Sequence, residues 1–403
     1  MIEPRREEPQ KPGEPPPLLT ELPRSLSATE QVLVGSANDF GLELFRRLAG
    51  ASPDENVIVS PLSAYFALGM VANGAVDETL AGIRATLRQS DLTEEEANQA
   101  YRDLSKLLLS LDDFVEFAIA NSIWYEESFP VRPAFVELSR EFFDARVTGL
   151  DFSSPEAVPT INAWVNEKTR GRIPKILGMI PDGTVIYLIN ALFFDGTWRL
   201  GFDRRRTDAA PFHRPDGTTV EVLLMEQEER IPNQERDEFQ AVDLLYGRGA
   251  FSLTVLLPPE GVAPADLLAG VDAATWDGWM EEFRKGTVRL QLPRFQLTWG
   301  GLLNDPLAGM GMARSFGGGA QFDRLVQDGV SAQGLLISRV LQKTFIDVNE
   351  DGTVAAAVTL VEGGFTSGGP LRLRVDRPFL FALRERLSGT ILFLGQVVDP
   401  TAE

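Results

Sequence analysis

Eleven residues, Asn349 to Thr359, read NEDGTVAAAVT and restrict the fold more than any other stretch of this chain. They follow a strand-like run, yet their side chains are small. Strands favour β-branched and aromatic residues, which pack well on a half-buried pleat, and Ala355, Ala356 and Ala357 in succession pack poorly there. An ordinary exposed loop would be richer in Asn, Pro or Ser. A segment suited to neither role suggests a chain that leaves one state and enters another. If it became a strand, Thr353, Ala355, Ala357, Thr359 and Val361 would share one face, and Val354, Ala356, Val358 and Leu360 the other. Neither face carries a charge before Glu362.

Composition narrows the function classes. The 403 residues are 44% hydrophobic and 24% charged, a globular balance, and no run approaches the roughly 18 to 20 apolar residues of a membrane helix. The formal charge of −20 disfavours nucleic acid as a partner. With no cysteine there can be no disulfide, thiolate metal site or Cys nucleophile. Seven of the 26 prolines lie in residues 1–30 among mixed charges, so that segment reads as a disordered tail. Its start, MIEPRREEPQ, has no apolar core of the secretory type.

Periodicity divides the remainder. Phe40, Leu44, Phe45 and Leu48 predict a helix starting near residues 36–38. Ser60 and Pro61 read as an N-cap and first helical residue of a helix reaching about Ala72, and Thr93 with Glu96 as a capping box. Alternation at Val115, Phe117, Ile119, Asn121, Ile123 and at Val185, Tyr187, Ile189, Ala191, Phe193 predicts two long strands. An amphipathic helix with Ile161, Trp164 and Val165 lies between them, closed by Gly171 and Pro174. From about Thr219 the chain is mostly strand-like, with short helices near 264–268 and 274–283. Helices and strands interleave with no linker after the tail, so one mixed α and β domain over 31–403 is expected.

Several blocks identify a family. NVIVSPLSAYFALGMVANGA (56–75), ANSIWY (120–125), INAWVNEKTRGRIPKIL (161–177), LINALFFDGTW (188–198), LPRF (292–295), the segment at 349–359 and RPFLFALRERLSGTILFLGQVVDP (377–400) occur in the order found in serpins. The chain resembles that family over about residues 35 to 400. The resemblance implies three β-sheets, eight or nine helices and an exposed reactive-centre loop. A serine protease cleaves the loop as bait, and the loop then inserts into the largest sheet and distorts the acylated protease. A metastable native state would hold the energy for that insertion. Each backbone group entering the ladder would contribute roughly 0.5 to 1.5 kcal/mol. No cofactor and no metal is implied, the partner is a protease, and a monomer is expected. The family favours an extracellular location, while the lack of a visible export signal leaves the cytoplasm open.

Site residues follow from motif position. Glu350, Gly352, Thr353, Val354, Ala355, Ala356, Ala357, Val358 and Thr359 correspond to the hinge. Ser60, Ser63, Asn190 and Gln342 correspond to a polar cluster under the centre of the main sheet. Trp198, Arg294 and Glu350 correspond to the loop base, with Arg294 and Glu350 as an ion pair. Seventeen residues counted from Glu350 inclusive place the scissile bond at Thr366–Ser367; a loop one residue shorter would place it at Phe365–Thr366, and counting back from Arg377-Pro378-Phe379 moves it one residue onward. Thr366 would suit elastase-like proteases and Phe365 chymotrypsin-like ones, because the size of the primary pocket sets that preference. No Arg or Lys lies between Glu350 and Leu371, which disfavours trypsin-like targets. Cysteine proteases are a further class of target the family allows.

Gln342 departs from the family, which has a histidine there. An amide donates and accepts but does not titrate near neutrality. The single histidine, His213, has no G-x-S-x-G elbow to accompany it, so a hydrolase is disfavoured. The competing reading is a serpin that binds a ligand or acts as a chaperone without inhibiting. Non-inhibitory members often carry bulky, charged or proline residues in the hinge, and 352–358 carries none.

Overall fold

A computed structural model describes residues 16–353 and 370–402. Within them are eight α-helices: α1 (Ala28–Ala51), α2 (Pro61–Ala72), α3 (Asp77–Thr86), α4 (Glu94–Leu109), α5 (Pro133–Phe143), α6 (Ala157–Lys168), α7 (Ala273–Glu281) and α8 (Asn304–Leu307). The strands are β1 (Val57–Val59), β2 (Val115–Glu126), β3 (Arg146–Leu150), β4 (Ile186–Thr197), β5 (Thr207–His213), β6 (Thr219–Glu235), β7 (Gln240–Leu245), β8 (Phe251–Leu257), β9 (Arg284–Pro293), β10 (Phe295–Leu302), β11 (Arg339–Val348), β12 (Gly352–Thr353), β13 (Leu371–Arg374), β14 (Phe379–Glu385) and β15 (Ile391–Val397).

The predicted caps form. The Ser60 hydroxyl accepts from the Ser63 amide at the start of α2, and Thr93 and Glu96 form a reciprocal capping box on α4. All twelve residues of α2 are buried, as an all-round apolar helix requires. Its position against β2, β4 and β15 makes it the central helix.

Among the described residues the strands form two hydrogen-bonded sets, because two of the three sheets of the serpin fold are linked through one long strand. The 17-residue strand β6 is continuous: on one edge its start pairs with β5 and its end, Asn233–Glu235, with β7, while on the other edge Leu224–Asn233 pairs with β9, so the ladders on either side join into one nine-stranded sheet. The six-stranded sheet has the order β10-β11-β4-β2-β3, with β12 also pairing β4. Strand β4 is buried along most of its length because both faces are covered. One face packs on the main core with α2, and the other on a smaller cluster containing Trp164 and Val165 of α6.

Along one edge β4 pairs antiparallel with β2 from Val115↔Gly196 to Tyr125↔Ile186. Along the other it pairs parallel with β11 only from Arg339↔Tyr187 to Thr344↔Leu192. Both strands continue beyond that point, β4 to Thr197 and β11 to Val348, without pairing to each other. The sheet is therefore closed in its lower half and parted above.

The N-terminal region differs from expectation. Helix α1 starts at Ala28, not near 36–38, because Ser27 and Glu30 form a capping box that Arg24 closes with an ion pair. Residues 16–27, expected to belong to a disordered tail over 1–30, lie against the body: the Leu19 amide donates to the Arg248 carbonyl at 2.7 Å and Arg199 donates to the Pro16 carbonyl at 2.6 Å.

Candidate functional site

The β2, β4 and β11 registers set Asn121, Asn190 and Gln342 side by side across the sheet, over the N-terminus of α2. The Asn190 amide nitrogen donates to the Ser63 carbonyl at 3.0 Å and to Asn121 Oδ1 at 2.7 Å. Asn190 Oδ1 accepts from the Ser63 hydroxyl at 2.5 Å and from Gln342 Nε2 at 3.0 Å. Gln342 also grips the Ser60 backbone at both ends, accepting from its amide and donating to its carbonyl, each at 2.9 Å. All four expected residues thus meet, and all are buried. A neutral imidazole, with one donor and one acceptor, cannot make these three bonds at once. The glutamine is therefore a fuller fastener than a histidine would be, and it carries no titratable group.

Asn121 belongs to the cluster and was not singled out as a site residue. Its signal in the sequence is a polar residue within the otherwise apolar alternation Val115, Phe117, Ile119, Ile123. Thr344 is a second: on β11, two residues beyond Gln342, its hydroxyl donates to the Ile58 carbonyl at 2.9 Å.

At the upper end of the parted sheet, the Asn349 and Gly352 backbones pair with each other and reverse the chain. Gly352–Thr353 then runs antiparallel to Thr197–Gly196, on the edge of β4 that faces away from β2. Gly352 has φ +146°, and a Cβ there would overlap the Gly196 carbonyl oxygen, so only glycine fits. Trp198 holds this reversal, its ring nitrogen donating to the Asn349 carbonyl at 2.8 Å and its amide to the Asp351 carbonyl at 3.0 Å. The Trp198 ring stacks on Tyr246, with centroids 4.3 Å apart. The Tyr246 and Thr353 hydroxyls are 2.8 Å apart and both buried, and burial pushes the phenol well above its ordinary range.

Glu350 is only 2% exposed. Its carbonyl accepts from the Phe202 amide, and one carboxylate oxygen accepts from the Thr207 hydroxyl at 2.8 Å. The other lies 3.5 Å from Arg294 Nε, an ion-pair contact with no hydrogen bond to that oxygen. Trp198, Arg294 and Glu350 thus gather as expected, joined by Thr207, Tyr246 and the Arg204–Asp351 ion pair, which periodicity does not reveal. Val354, Ala355, Ala356, Ala357, Val358 and Thr359 of the hinge, and Phe365, Thr366 and Ser367 of the bait bond, lie outside the described residues.

Near the parted edge, burial pushes Asp195 of β4 up to about 6, opposed chiefly by Arg172 and reinforced by Glu116 and Asp347. His213 is exposed at the end of β5, where its amide donates to the Asp376 carbonyl. Among the described residues no group of three His, Asp or Glu side chains could hold a metal ion, and no helix is long and apolar enough to cross a membrane.

The model of one protein family, Serpin (serine protease inhibitor), matches residues 35–400. An uncharacterized serpin-like protein of Thermococcus kodakarensis is 31% identical, the match covering 92% of this chain and 86% of that protein. The leukocyte elastase inhibitor of Bos taurus is 33% identical over 90% of this chain and 97% of its own length. Among solved structures, the native thermophilic serpin tengpin superposes with a TM-score of 0.84 at 30% identity, covering 96% of this chain and 97% of that one. Human thyroxine-binding globulin, solved as a complex with thyroxine, gives 0.86 at 28% identity, covering 93% of this chain and 100% of that one. Sequence blocks, sheet architecture and these matches agree over nearly the whole body of the protein: the chain belongs to the serpin family.

Proposed function

We propose that this serpin is a suicide inhibitor of serine proteases with a small or apolar primary pocket, acting once per molecule by inserting its cleaved loop between β4 and β11. The observation that carries this reading is the parted upper half of the six-stranded sheet. Below Leu192 and Thr344 the two strands are paired, and above them they are not. Gly352 and Thr353 already occupy the first position of a strand entering from the top. A chain continuing from Thr353 with small side chains would find unpaired backbone groups on both sides, and each pairing replaces water with a ladder bond. The inhibitors among the relatives support the same reading, as does the absence of bulky, charged or proline residues from 352 to 358.

Thr366–Ser367 is the proposed bait bond, with Phe365–Thr366 one residue away. The Asn121–Asn190–Gln342 row would be the fastening that parts as the loop descends, and the Trp198 and Tyr246 platform the seat from which it starts.

The test is incubation with elastase-like and chymotrypsin-like proteases, followed by denaturing electrophoresis. A covalent complex that survives denaturation is expected, with 1:1 loss of protease activity. Cleavage without a complex would overturn the inhibitor reading in favour of a carrier or chaperone. Sequencing the released C-terminal peptide fixes the bond, its first residue being Ser367, Thr366 or Gly368.

A further inference from the structure

Strand β6 crosses from one half of the nine-stranded sheet to the other, and at the crossing one of its edges is left open. Its pairing with β5 ends at Met225, and its pairing with β7 begins at Asn233. Between those points only β9 is hydrogen-bonded to it. Against the open edge lies a cavity of about 110 Å³. Leu200, Ile231, Leu244 and Leu245 supply apolar wall, and Leu18 of the N-terminal segment lines it as well.

Gln227 also lines this cavity. It is only 4% exposed, and neither its amide oxygen nor its amide nitrogen has a hydrogen-bond partner. Buried polar atoms are paired in the great majority of cases, and an unpaired amide in a wall with room beside it points to something that fills the room. Three cations, Arg199, Arg230 and Lys285, line the same space. One Arg199 nitrogen is committed to the Pro16 and Gly247 carbonyls, at 2.6 and 3.1 Å. The other Arg199 guanidinium nitrogens have no hydrogen-bond partner among the described residues, which leaves them able to meet an anion.

These features select a chemical class. The cations call for a carboxylate, and the leucine and isoleucine walls for a short carbon skeleton. Gln227 narrows it further: a carboxylate can accept from the amide nitrogen, but only a donor such as a hydroxyl satisfies the amide oxygen. An apolar cavity of comparable size, ~150 Å³, holds benzene, so about six non-hydrogen atoms is the limit. We infer that this cavity is a binding site for a short 2-hydroxy carboxylate of lactate size. Its carboxylate would meet the cationic rim, and its hydroxyl would donate to Gln227 Oε1. Residues 199–200 follow Trp198 and residues 244–245 precede Tyr246, so the site backs directly onto the platform that holds Thr353.

Titration of the full chain with L-lactate by ligand-detected NMR and calorimetry tests this. Saturable 1:1 binding with a Kd on the order of 1 mM is expected for so small a ligand. Propionate, which lacks the hydroxyl, and methyl lactate, which lacks the charge, should bind at least tenfold more weakly. Gln227→Leu should weaken lactate at least tenfold. Lys285→Glu, at an exposed position on the rim, should do the same and guards against misfolding of the buried variant. No saturable binding up to 20-fold above the expected Kd would mean a water-filled cavity and overturns the inference. So would equal affinity for the three ligands, or lactate binding unchanged in both variants. None of these outcomes depends on whether the protein inhibits a protease.

Discussion

The Tyr246 and Thr353 hydroxyls meet at 2.8 Å inside the protein, one on the turn that follows β7 and the other on the two-residue strand β12. Tyr246→Phe keeps the stack on Trp198 but leaves the Thr353 hydroxyl unpaired. A loss of about 1 kcal/mol is expected, seen as a lower midpoint in urea. Adding Thr353→Val, which removes the orphaned hydroxyl while keeping the shape, should restore most of it. A double variant less stable than Tyr246→Phe alone would show that the contact is not what anchors this pair.

Thr353→Arg addresses the insertion itself. Thr353 is fully buried against Tyr246, and a long cation cannot occupy that site. Under the proposed mechanism this variant is cleaved by the target protease and forms no stable complex. Inhibition at the wild-type stoichiometry would contradict insertion.

Gly352→Ala combines a disfavoured φ with overlap on the Gly196 carbonyl. The expected cost is about 1–3 kcal/mol, with β12 driven off the β4 edge. Hydrogen exchange at the Trp198 amide, which donates to the Asp351 carbonyl beside this pairing, reports it directly: faster exchange there, without change at Ser122 or Ile123, is the predicted pattern.

The buried carboxylate of Glu350 and the half-exposed guanidinium of Arg294 are not equal partners. Arg294→Ala removes a 3.5 Å contact open to solvent and should cost at most about 1 kcal/mol, less in high salt. Glu350→Ala strands the Thr207 hydroxyl and opens a hole beneath the chain reversal, so about 1–3 kcal/mol is expected. Thermal unfolding of the two variants side by side decides; equal effects would mean that the ion pair, not the buried bond to Thr207, holds the base.

Asp195 gives the six-stranded sheet a pH response. Asp195 is an acid whose native value, about 6, lies above its ordinary 3.8. The native state therefore holds that proton more tightly than the unfolded chain. The stabilisation is complete below about pH 3.8 and is lost as pH rises through about 6. Asp195→Asn should accordingly raise the melting temperature at pH 7.5 by a few degrees and flatten its change between pH 4 and 7. Gln342 contributes no step of its own. In the Asp195→Asn background, polymerisation rates should show no inflection near the imidazole value of about 6.5, and adding Gln342→His should introduce one. An inflection there before the histidine is added would refute this assignment.

Much of this architecture was legible in the residues because the relevant signals are local. Alternation found β2 and β4, and Ser60-Pro61 and Thr93–Glu96 found the starts of α2 and α4. The start of α1 was missed because Ser27 and Glu30, a capping box in their own right, sit at the end of a proline-rich stretch whose composition dominated the reading. Helices α3 and α5 went unassigned; α3 has no side-chain cap, and α5 opens on Arg132-Pro133 without one. The polar cluster and the loop base were found by motif position. Tyr246, Thr207 and Asn121 complete them through contacts 107, 143 and 69 residues away in sequence, which no periodicity encodes. The merging of two sheets through β6 likewise depends on one long strand finding different partners at its two ends.

Strands β4 and β11 run parallel, and under the proposed insertion this constrains the direction in which a strand would pass between them. A newcomer pairing with both has the same sense relative to each, and β12, antiparallel to β4, sets that sense as opposite to both. The reversal at Asn349–Gly352 already turns the chain that way, so entry needs no threading and no crossing of connections. It can advance like the slider of a zip, opening the next rung of the lower ladder only after closing the one above. Such a path makes the passage a series of small steps, each biased forward by the bonds just made and none reversible without giving them up.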